Sequence, residues 1–266
     1  MSPEYEASAI LLRRAALQHG LAGQAALEGE FVPRAKVFLA EARELQLAAH
    51  RADVRGGEVA RLRSDAIDIL IDALFLRAGS AAATLSLVAT GGYGRAELCP
   101  LSDIDLLVLV PRHSAATKAL VEAILYPLWD LGLKVGQSVR TVTESTNYAK
   151  DDLHLHVALL ETRHLCGSPE LFAQLEAKTA ALLSGQAWKP FARAIVESQR
   201  KRREKAGGSA YLQEPDLKNG VGALRDVQGC VWIARTARNG VGPAGLAASG
   251  FLPAVDLQKF EEAKQV

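Results

Sequence analysis

The chain has 266 residues, of which 49% are hydrophobic and 23% are charged, and its formal net charge is +1. This length allows one large domain or two modest ones, and the composition is typical of a globular protein. A charge this close to neutral gives no electrostatic reason to expect binding to nucleic acid or to a membrane surface, so we predict neither as a partner.

The sequence shows no secretory signal and no cysteine spacing typical of a zinc site or a disulfide framework. In residues 1–20, acidic residues come early and arginines interrupt the apolar run, which argues against a secretory signal. No apolar segment approaches the length that spans a bilayer. Cys99, Cys166 and Cys230 have neither the spacing of a zinc site nor that of a disulfide framework. We therefore expect a reducing compartment, the cytoplasm.

Three amphipathic segments come first. Apolar residues spaced three and four apart predict helices over residues 4–19, 33–52 and 58–78. On the polar side of the third helix lie three acidic residues, Asp65, Asp68 and Asp72. Charged residues on an outer helix face are usually solvated, so we predict a solvated face there and no metal site.

Residues 85–110 are the centre of the chain. An apolar run rich in Val and Leu at each end predicts a buried strand, and a glycine-rich turn lies between the two. Gly91, Gly92 and Gly94 allow backbone conformations that a Cβ atom forbids, and they let backbone N–H groups approach an anion closely. Arg95 follows as a planar donor suited to phosphate oxygens. The turn therefore predicts a phosphate site.

Two aspartates, Asp103 and Asp105, come at the start of the second predicted strand. Residues two apart in a strand point to the same face, so the two carboxylates lie side by side while Ile104 turns into the core. Adjacent like charges are unfavourable unless a cation lies between them, and Mg²⁺ is often held by one or two carboxylates together with substrate phosphates. A phosphate turn beside this carboxylate pair predicts phosphoryl or nucleotidyl transfer.

The following segment continues the alternation of helix and strand. Its pattern predicts a helix over residues 114–131 with Ser114 as the cap, a strand over residues 133–142 and a turn over residues 143–152. Further on, His154 and His156 could be neighbours on one face of a strand. Histidine is a poor ligand for Mg²⁺, so we do not assign them to the metal site.

The last third of the chain reads mainly as helix. Residues 169–206 have a helical pattern that ends in a basic run, which we interpret as a solvated face. A polar, glycine-bearing segment follows at residues 211–228. Residues 240–266 contain a glycine-rich loop and then the start of another helix.

The central residues resemble the nucleotidyltransferase superfamily that includes DNA polymerase beta and kanamycin nucleotidyltransferase. Its members carry a Gly-Gly or Gly-Ser turn, a spacer and an Asp-x-Asp pair. Residues 91–98, Gly-Gly-Tyr-Gly-Arg-Ala-Glu-Leu, and residues 102–107, Ser-Asp-Ile-Asp-Leu-Leu, are similar to one branch, the bacterial PII uridylyltransferases of nitrogen signalling. Two positions depart from that branch: Ala96 replaces a glycine and Cys99 replaces a histidine.

The resemblance implies an α+β fold, with a polymerase-beta-like nucleotidyltransferase domain built on a small mixed sheet flanked by helices. We expect N-terminal helices over residues 1–78, the catalytic domain over residues 79–185 and the start of a C-terminal helical domain over residues 186–266. The phosphohydrolase and ACT domains that follow in the family are not in this sequence. We therefore expect a fragment or a truncated relative.

The resemblance also implies further site residues. In the family a third carboxylate from a neighbouring strand completes the acidic cluster, and we carry it onto Glu161, with Asp152 as the alternative. A simple surface pair between Glu161 and Arg163 stays open as the other interpretation. A second family motif, Glu-Pro-x-x-Lys followed by Gly-Gly-Leu-Arg-Asp, matches around residues 214–226, with Ala223 in place of the second glycine.

That second motif identifies Lys218 and Arg225 as candidate phosphate or base contacts. Asp226 is the candidate for a helix cap, or for a residue that orients the other two. Each of the three side chains also suits its role on chemical grounds alone.

The function that the resemblance implies is transfer of UMP from UTP to a tyrosine hydroxyl of the signalling protein PII. Asp103, Asp105 and Glu161 would bind two Mg²⁺ ions, and the glycine turn would hold the triphosphate. Two alternatives stay open. One is an adenylyltransferase of the glutamine-synthetase type, which shares the Asp-x-Asp pair, and the other is a non-catalytic nucleotide-sensing module.

Overall fold

The computed structural model describes residues 1–209, 211, 213–237 and 253–264. These residues fall into two compact units. The first unit comprises residues 1–147 and 161–176, and the second comprises residues 148–160 and the described residues from 177 onwards.

The first unit begins with three helices and continues into a sheet. Its elements in chain order are α1 (Pro3–Gln18), α2 (Phe31–Arg51), α3 (Gly56–Arg77), β1 (Ser86–Ala89), the single turn α4 (Gly91–Gly94), β2 (Ile104–Leu109), α5 (Ala115–Asp130), β3 (Val135–Arg140) and β4 (Arg163–Gly167). Short 3-10 helices precede α2, at Gly23–Leu27, and β1, at Ser80–Thr84.

The second unit is helical where the structure describes it. Helix α6 (Val142–Asp151) and helix α8 (Pro169–Leu182) contribute residues to both units. The remaining helices are α7 (Leu153–Leu160), α9 (Trp188–Lys205), α10 (Leu224–Ala237) and α11 (Ala254–Lys264). Phe191, Ile195 and Trp232 form its small apolar core together with Leu183.

The four strands form one mixed sheet in the order β3–β2–β1–β4. Strand β1 is antiparallel to β2 and to β4, whereas β2 and β3 are parallel. The register places Ala89, the last residue of β1, opposite both Leu106 and Arg163, and it places Asp105 opposite Gly136. The turn that follows β1 therefore starts beside β2 and β4.

One face of the sheet shares a hydrophobic core with the N-terminal helices and α5. The strand residues in this core alternate along β1 and β2, as period-two burial requires; they are Leu87, Ala89, Ile104, Leu106 and Val108. Helix α3 supplies a fully buried stripe against them, with Leu70 and Ile71 both 0% exposed. The apolar spacing of α3 thus fixes the helix to the sheet that carries the glycine turn.

Most predicted elements are confirmed. The α+β class, with a small mixed sheet flanked by helices, is observed, and Ser114 caps α5 by accepting the backbone N–H of Thr117. The predicted glycine-rich loop of residues 240–252 lies outside the described residues, whereas α11 confirms the helix after it. The domain boundaries at residues 78 and 185 stay predictions.

The predicted turn over residues 143–152 is wrong, because α6 occupies this segment. The Glu144 carboxylate accepts the backbone N–H of Thr141 at 2.7 Å, and the Thr141 hydroxyl accepts the N–H of Glu144 at 3.2 Å. This reciprocal capping box starts the helix, and residues 142–151 contain no glycine or proline that would stop it.

The interpretation of His154 and His156 as strand neighbours is also wrong. Both lie on α7, where residues two apart point to different sides. Asp152 caps this helix, since its Oδ1 atom accepts the N–H groups of His154 at 2.8 Å and Leu155 at 3.2 Å. Asp152 is therefore a helix cap of the second unit, and its assignment as the alternative metal ligand stays a prediction.

Two further findings concern the composition of the chain. None of the helices in the described residues is long and apolar enough to cross a membrane. All three cysteines are free thiols.

Because Leu70 is fully buried in the shared core, Leu70→Ala is expected to lower the free energy of unfolding by about 2–5 kcal/mol. The control is Leu76→Ala on the same helix, where the side chain is 48% exposed and a change within about 0.5 kcal/mol is expected. Urea unfolding of both variants measures the difference. Equal losses would contradict the core described for α3.

Candidate active site

The glycine turn is a single helical turn between β1 and β2. Gly91 has a φ of +58°, in the left-handed region that favours glycine. The N–H groups of Gly94 and Arg95 donate to the carbonyls of Thr90 and Gly91 at 2.9 and 3.1 Å. A Cβ atom at Gly94 would lie 1.7 Å from the backbone oxygen of Glu161, so only glycine fits there.

The two predicted aspartates lie beside this turn. Asp103 comes directly before β2 and Asp105 is its second residue, and both are exposed while Ile104 between them is buried. The Asp105 carboxylate lies between two glycines: a Cβ atom would be 3.3 Å from its Oδ2 atom at Gly91 and 2.8 Å from its Oδ1 atom at Gly136. Gly136 was not among the site residues predicted from the sequence, although a glycine inside a predicted strand is typical of a close approach.

The arrangement of Asp103 and Asp105 suits a hard divalent cation. Exposed carboxylate oxygens on one face are the donors that Mg²⁺ prefers, and substrate phosphates and water commonly complete its coordination. Within the described ranges, no three His, Cys, Asp or Glu side chains are grouped to hold a metal ion. The aspartate pair is thus a partial ligand set.

Glu161 and Arg95, two residues predicted to act on different parts of the substrate, pair with each other. Arg95 donates from Nη1 to Oε2 of Glu161 at 2.6 Å and from Nε to Glu97 at 2.7 Å, and the Glu161 side chain is 2% exposed. Burial opposes the charge of Arg95, but the nearby Glu161 and Glu97 outweigh it and raise its pKa.

This pairing differs from the expected cluster of three carboxylates. A buried carboxylate needs a charged partner, and Arg95 provides it, so Glu161 is not grouped with the aspartates into a metal site. The assignments of Glu161 to a metal and of Arg95 to the triphosphate stay predictions. In this conformation the pair joins the end of the glycine turn to the segment that leads into β4.

The predicted solvated face of α3 is wrong for Asp68 and Asp65. Asp68 accepts the Tyr93 hydroxyl at 2.6 Å and two bonds from Arg163 at 2.7 and 3.1 Å. Asp65 accepts the Tyr5 hydroxyl at 2.7 Å, and burial raises the Asp65 pKa. The polar side of α3 faces other elements of the unit because hydroxyl and guanidinium partners satisfy these two carboxylates.

Tyr93, within the glycine turn, is 0% exposed. Burial and the neighbouring Asp68 raise its pKa well above the ordinary value, so its hydroxyl stays protonated and donates. Arg163 also has a raised pKa, because its bonds to Asp68 outweigh the effect of burial. No local sequence pattern predicted these contacts, because 95 positions separate Arg163 from Asp68.

The residues of the second predicted motif lie in the second unit. Asp216 Oδ1 accepts the N–H groups of Lys218 at 2.9 Å and Asn219 at 2.8 Å, which closes a tight turn. Arg225 donates to Gln228 at 2.9 Å, and its guanidinium carbon lies 5.9 Å from the centroid of the Trp232 ring. The assignment of Lys218 and Arg225 to the nucleotide stays a prediction.

Asp226 is the third residue of α10, and its role as a helix cap or as a residue that orients Lys218 and Arg225 stays a prediction. Its Oδ2 atom accepts the N–H of Gly222 at 2.8 Å, and its carboxylate also pairs with Arg202 and Arg203. Burial would raise the Asp226 pKa, but these bonds outweigh it and lower the pKa. Part of the basic run on α9 therefore holds Asp226, rather than forming only a solvated face.

Two protein families match different parts of the chain. The family described as nucleotidyltransferase domain matches residues 75–159, and the family described as GlnD PII-uridylyltransferase matches residues 190–266. The chain is a relative of the uridylyltransferase family. It carries a nucleotidyltransferase domain, and the four-stranded mixed sheet fits the polymerase-beta-like fold that the resemblance implies.

Three similar relatives are named bifunctional uridylyltransferase/uridylyl-removing enzyme. The one from Cereibacter sphaeroides is 39% identical over 181 residues, which is 68% of this chain and 20% of the relative. The one from Azospirillum brasilense is 45% identical over 150 residues, or 56% and 16%, and the one from Burkholderia orbicola is 39% identical over 207 residues, or 77% and 23%. The chain spans about one fifth of the length of the relatives it matches.

The close approach of Gly136 to Asp105 yields a prediction for metal binding. In Gly136→Ala the new methyl group meets Oδ1 of Asp105 at 2.8 Å, so the short Asp105 side chain must rotate. We expect the affinity for Mn²⁺, measured by calorimetry, to fall by about 10-fold or more. Mutating the surroundings that orient a metal ligand commonly lowers metal affinity by that much. Stability should change by less than about 1 kcal/mol.

A matched control is Gly57→Ala in α3, where a Cβ atom meets nothing within 4 Å. This variant is expected to bind Mn²⁺ as the unaltered chain does. If Gly136→Ala also kept the original affinity, Asp105 would not be a metal ligand held in this position.

Proposed function

We propose that this chain transfers UMP from UTP to a tyrosine hydroxyl of the signalling protein PII. The observation that carries the proposal is the pair of exposed carboxylates, Asp103 and Asp105, directly beside a glycine-rich turn in which only glycine fits at residue 94. The names of the relatives support uridylyl transfer over the adenylyl alternative. The family name that includes PII supports the acceptor.

The residues that would perform the reaction divide into two groups. The glycine turn of Gly91, Gly92 and Gly94 would receive the triphosphate, because its backbone can approach phosphate oxygens closely. Asp103 and Asp105 would hold Mg²⁺. When bound, Mg²⁺ would lower the pKa of the acceptor hydroxyl and neutralise the charge of the departing pyrophosphate.

In this reaction the acceptor oxygen attacks the α-phosphorus of UTP. The bond from that phosphorus to the pyrophosphate oxygen breaks, and the hydroxyl proton leaves to a base or to water. Asp105 is proposed to orient the attack, and its carboxylate has room in its present position because the two residues beside it are glycines. Lys218 and Arg225 are proposed to contact the nucleotide. Glu161 is proposed to bind Mg²⁺ only when its ion pair with Arg95 is broken.

Asp103→Asn and Asp105→Asn are each expected to reduce transfer from UTP to PII by at least about 100-fold, because each removes one charge from the metal site. The fold should survive, since both side chains are exposed. Label transfer from each nucleoside triphosphate in turn, with Mg²⁺ and PII present, measures the effect. The control is Asp130→Asn at the exposed end of α5, which should transfer normally.

The same assay separates the alternatives. Transfer from ATP instead of UTP would favour the adenylyltransferase, and nucleotide binding without any transfer would favour the sensing module. Aspartate variants that transfer at the normal rate would refute the site.

A further inference from the structure

We propose that Asp68, Tyr93 and Arg163 are positioning residues that hold the glycine turn in the conformation needed to bind nucleotide. This inference rests on the proposed function of that turn. The three side chains come from three different elements of the first unit, α3, the glycine turn itself and β4. None of them belongs to the carboxylate pair.

Tyr93 is the connection between the turn and α3. It is the third residue of the turn, its ring is buried, and its hydroxyl donates to Oδ1 of Asp68 at 2.6 Å. A hydrogen bond between a buried hydroxyl and a carboxylate is stronger than one between neutral groups, and it fixes direction as well as distance. The middle of the turn cannot move without breaking this bond.

Arg163 makes the second connection, to β4. Its guanidinium binds both oxygens of Asp68, donates to the backbone carbonyl of Tyr93 at 3.3 Å and lies 5.2 Å from the centroid of the Tyr93 ring. Arg163 also pairs in register with Ala89, the last strand residue before the turn. One side chain thus holds the turn at the carbonyl, at the ring and, through Asp68, at the hydroxyl.

The exit of the turn shows why such support is needed. Ala96 has a φ of +56°, in the left-handed region that is unfavourable for a residue with a Cβ atom. Its N–H donates to the carbonyl of Tyr93 at 3.0 Å, the same oxygen that Arg163 contacts. A non-glycine residue persists in this conformation when its surroundings over-determine it. The network supplies that constraint at the end of the phosphate turn.

Tyr5 offers a matched comparison. It is also a buried tyrosine, 5% exposed, and its hydroxyl also donates to an aspartate of α3, Asp65, at 2.7 Å. Tyr5 lies on α1 and is not part of the turn. Tyr5→Phe and Tyr93→Phe therefore remove the same kind of bond from the same helix, but only the second bond constrains the turn.

The experiment measures thermal stability, amide hydrogen exchange of residues 92–96 and UTP affinity with Mg²⁺ in both variants of the full 266-residue chain. We expect similar losses of thermal stability. In Tyr93→Phe alone, we expect turn amides to exchange about 10-fold faster and UTP to bind about 10-fold more weakly, as suits one lost bond to a charged group. Asp68→Asn should move both readouts in the same direction.

Turn amides that exchange no faster in Tyr93→Phe than in Tyr5→Phe would overturn the inference. The exchange measurement needs no bound nucleotide, so it tests whether the network constrains the turn independently of the proposed function. If the unaltered chain bound no UTP, the proposed function would fail while the exchange result still stood. If exchange accelerated but UTP affinity stayed unchanged, the network would be structural only, which also overturns the inference.

Discussion

The absence of a side chain at Gly94 is the constraint on which the rest of the site depends. Any Cβ atom there would collide with the backbone oxygen of Glu161, so glycine alone lets the turn pack against the segment that leads into β4. That contact brings Arg95 within reach of Glu161 and places the turn beside Arg163. The glycine motif therefore joins distant parts of the chain, in addition to its proposed role in binding phosphate.

The carboxylates around the glycine turn fall into two groups that differ in exposure. Asp68 and Glu161 each have an arginine partner, so the protein compensates these partly or fully buried carboxylates itself. Asp103 and Asp105 lie exposed on one face, where a cation from solvent can reach them. Burial thus separates the carboxylates inside the unit from the two that are proposed to bind a metal ion.

The local pattern of the sequence was enough to predict β1, β2 and β3, most helices and the aspartate pair, but it did not predict β4. Alternation placed Ile104 inside and its two acidic neighbours outside, and the spacing of α3 predicted its buried stripe. Helix α6 was missed although its capping box, Thr141 with Glu144, can be read from four consecutive residues. The segment is largely polar, which is typical of a turn, but it contains no glycine or proline that would stop a helix.

The partners of the site residues could not be predicted in the same way. Arg95 and Glu161 are 66 positions apart, and Arg163 and Asp68 are 95 positions apart, so no local periodicity links them. Each of these side chains, taken alone, looks like an ordinary surface charge. Only the sheet register, which sets β4 against β1, brings them to the turn.

The same register explains why the proposed metal ligand and the proposed positioning residue lie on opposite sides of β1. Strand β2 lies on one side and carries Asp105, and β4 lies on the other and carries Arg163. The turn that leaves β1 is therefore held from the β4 side and presented to the carboxylates on the β2 side. A mixed sheet with β1 in an inner position meets both requirements at once, because an edge strand would have had only one neighbour.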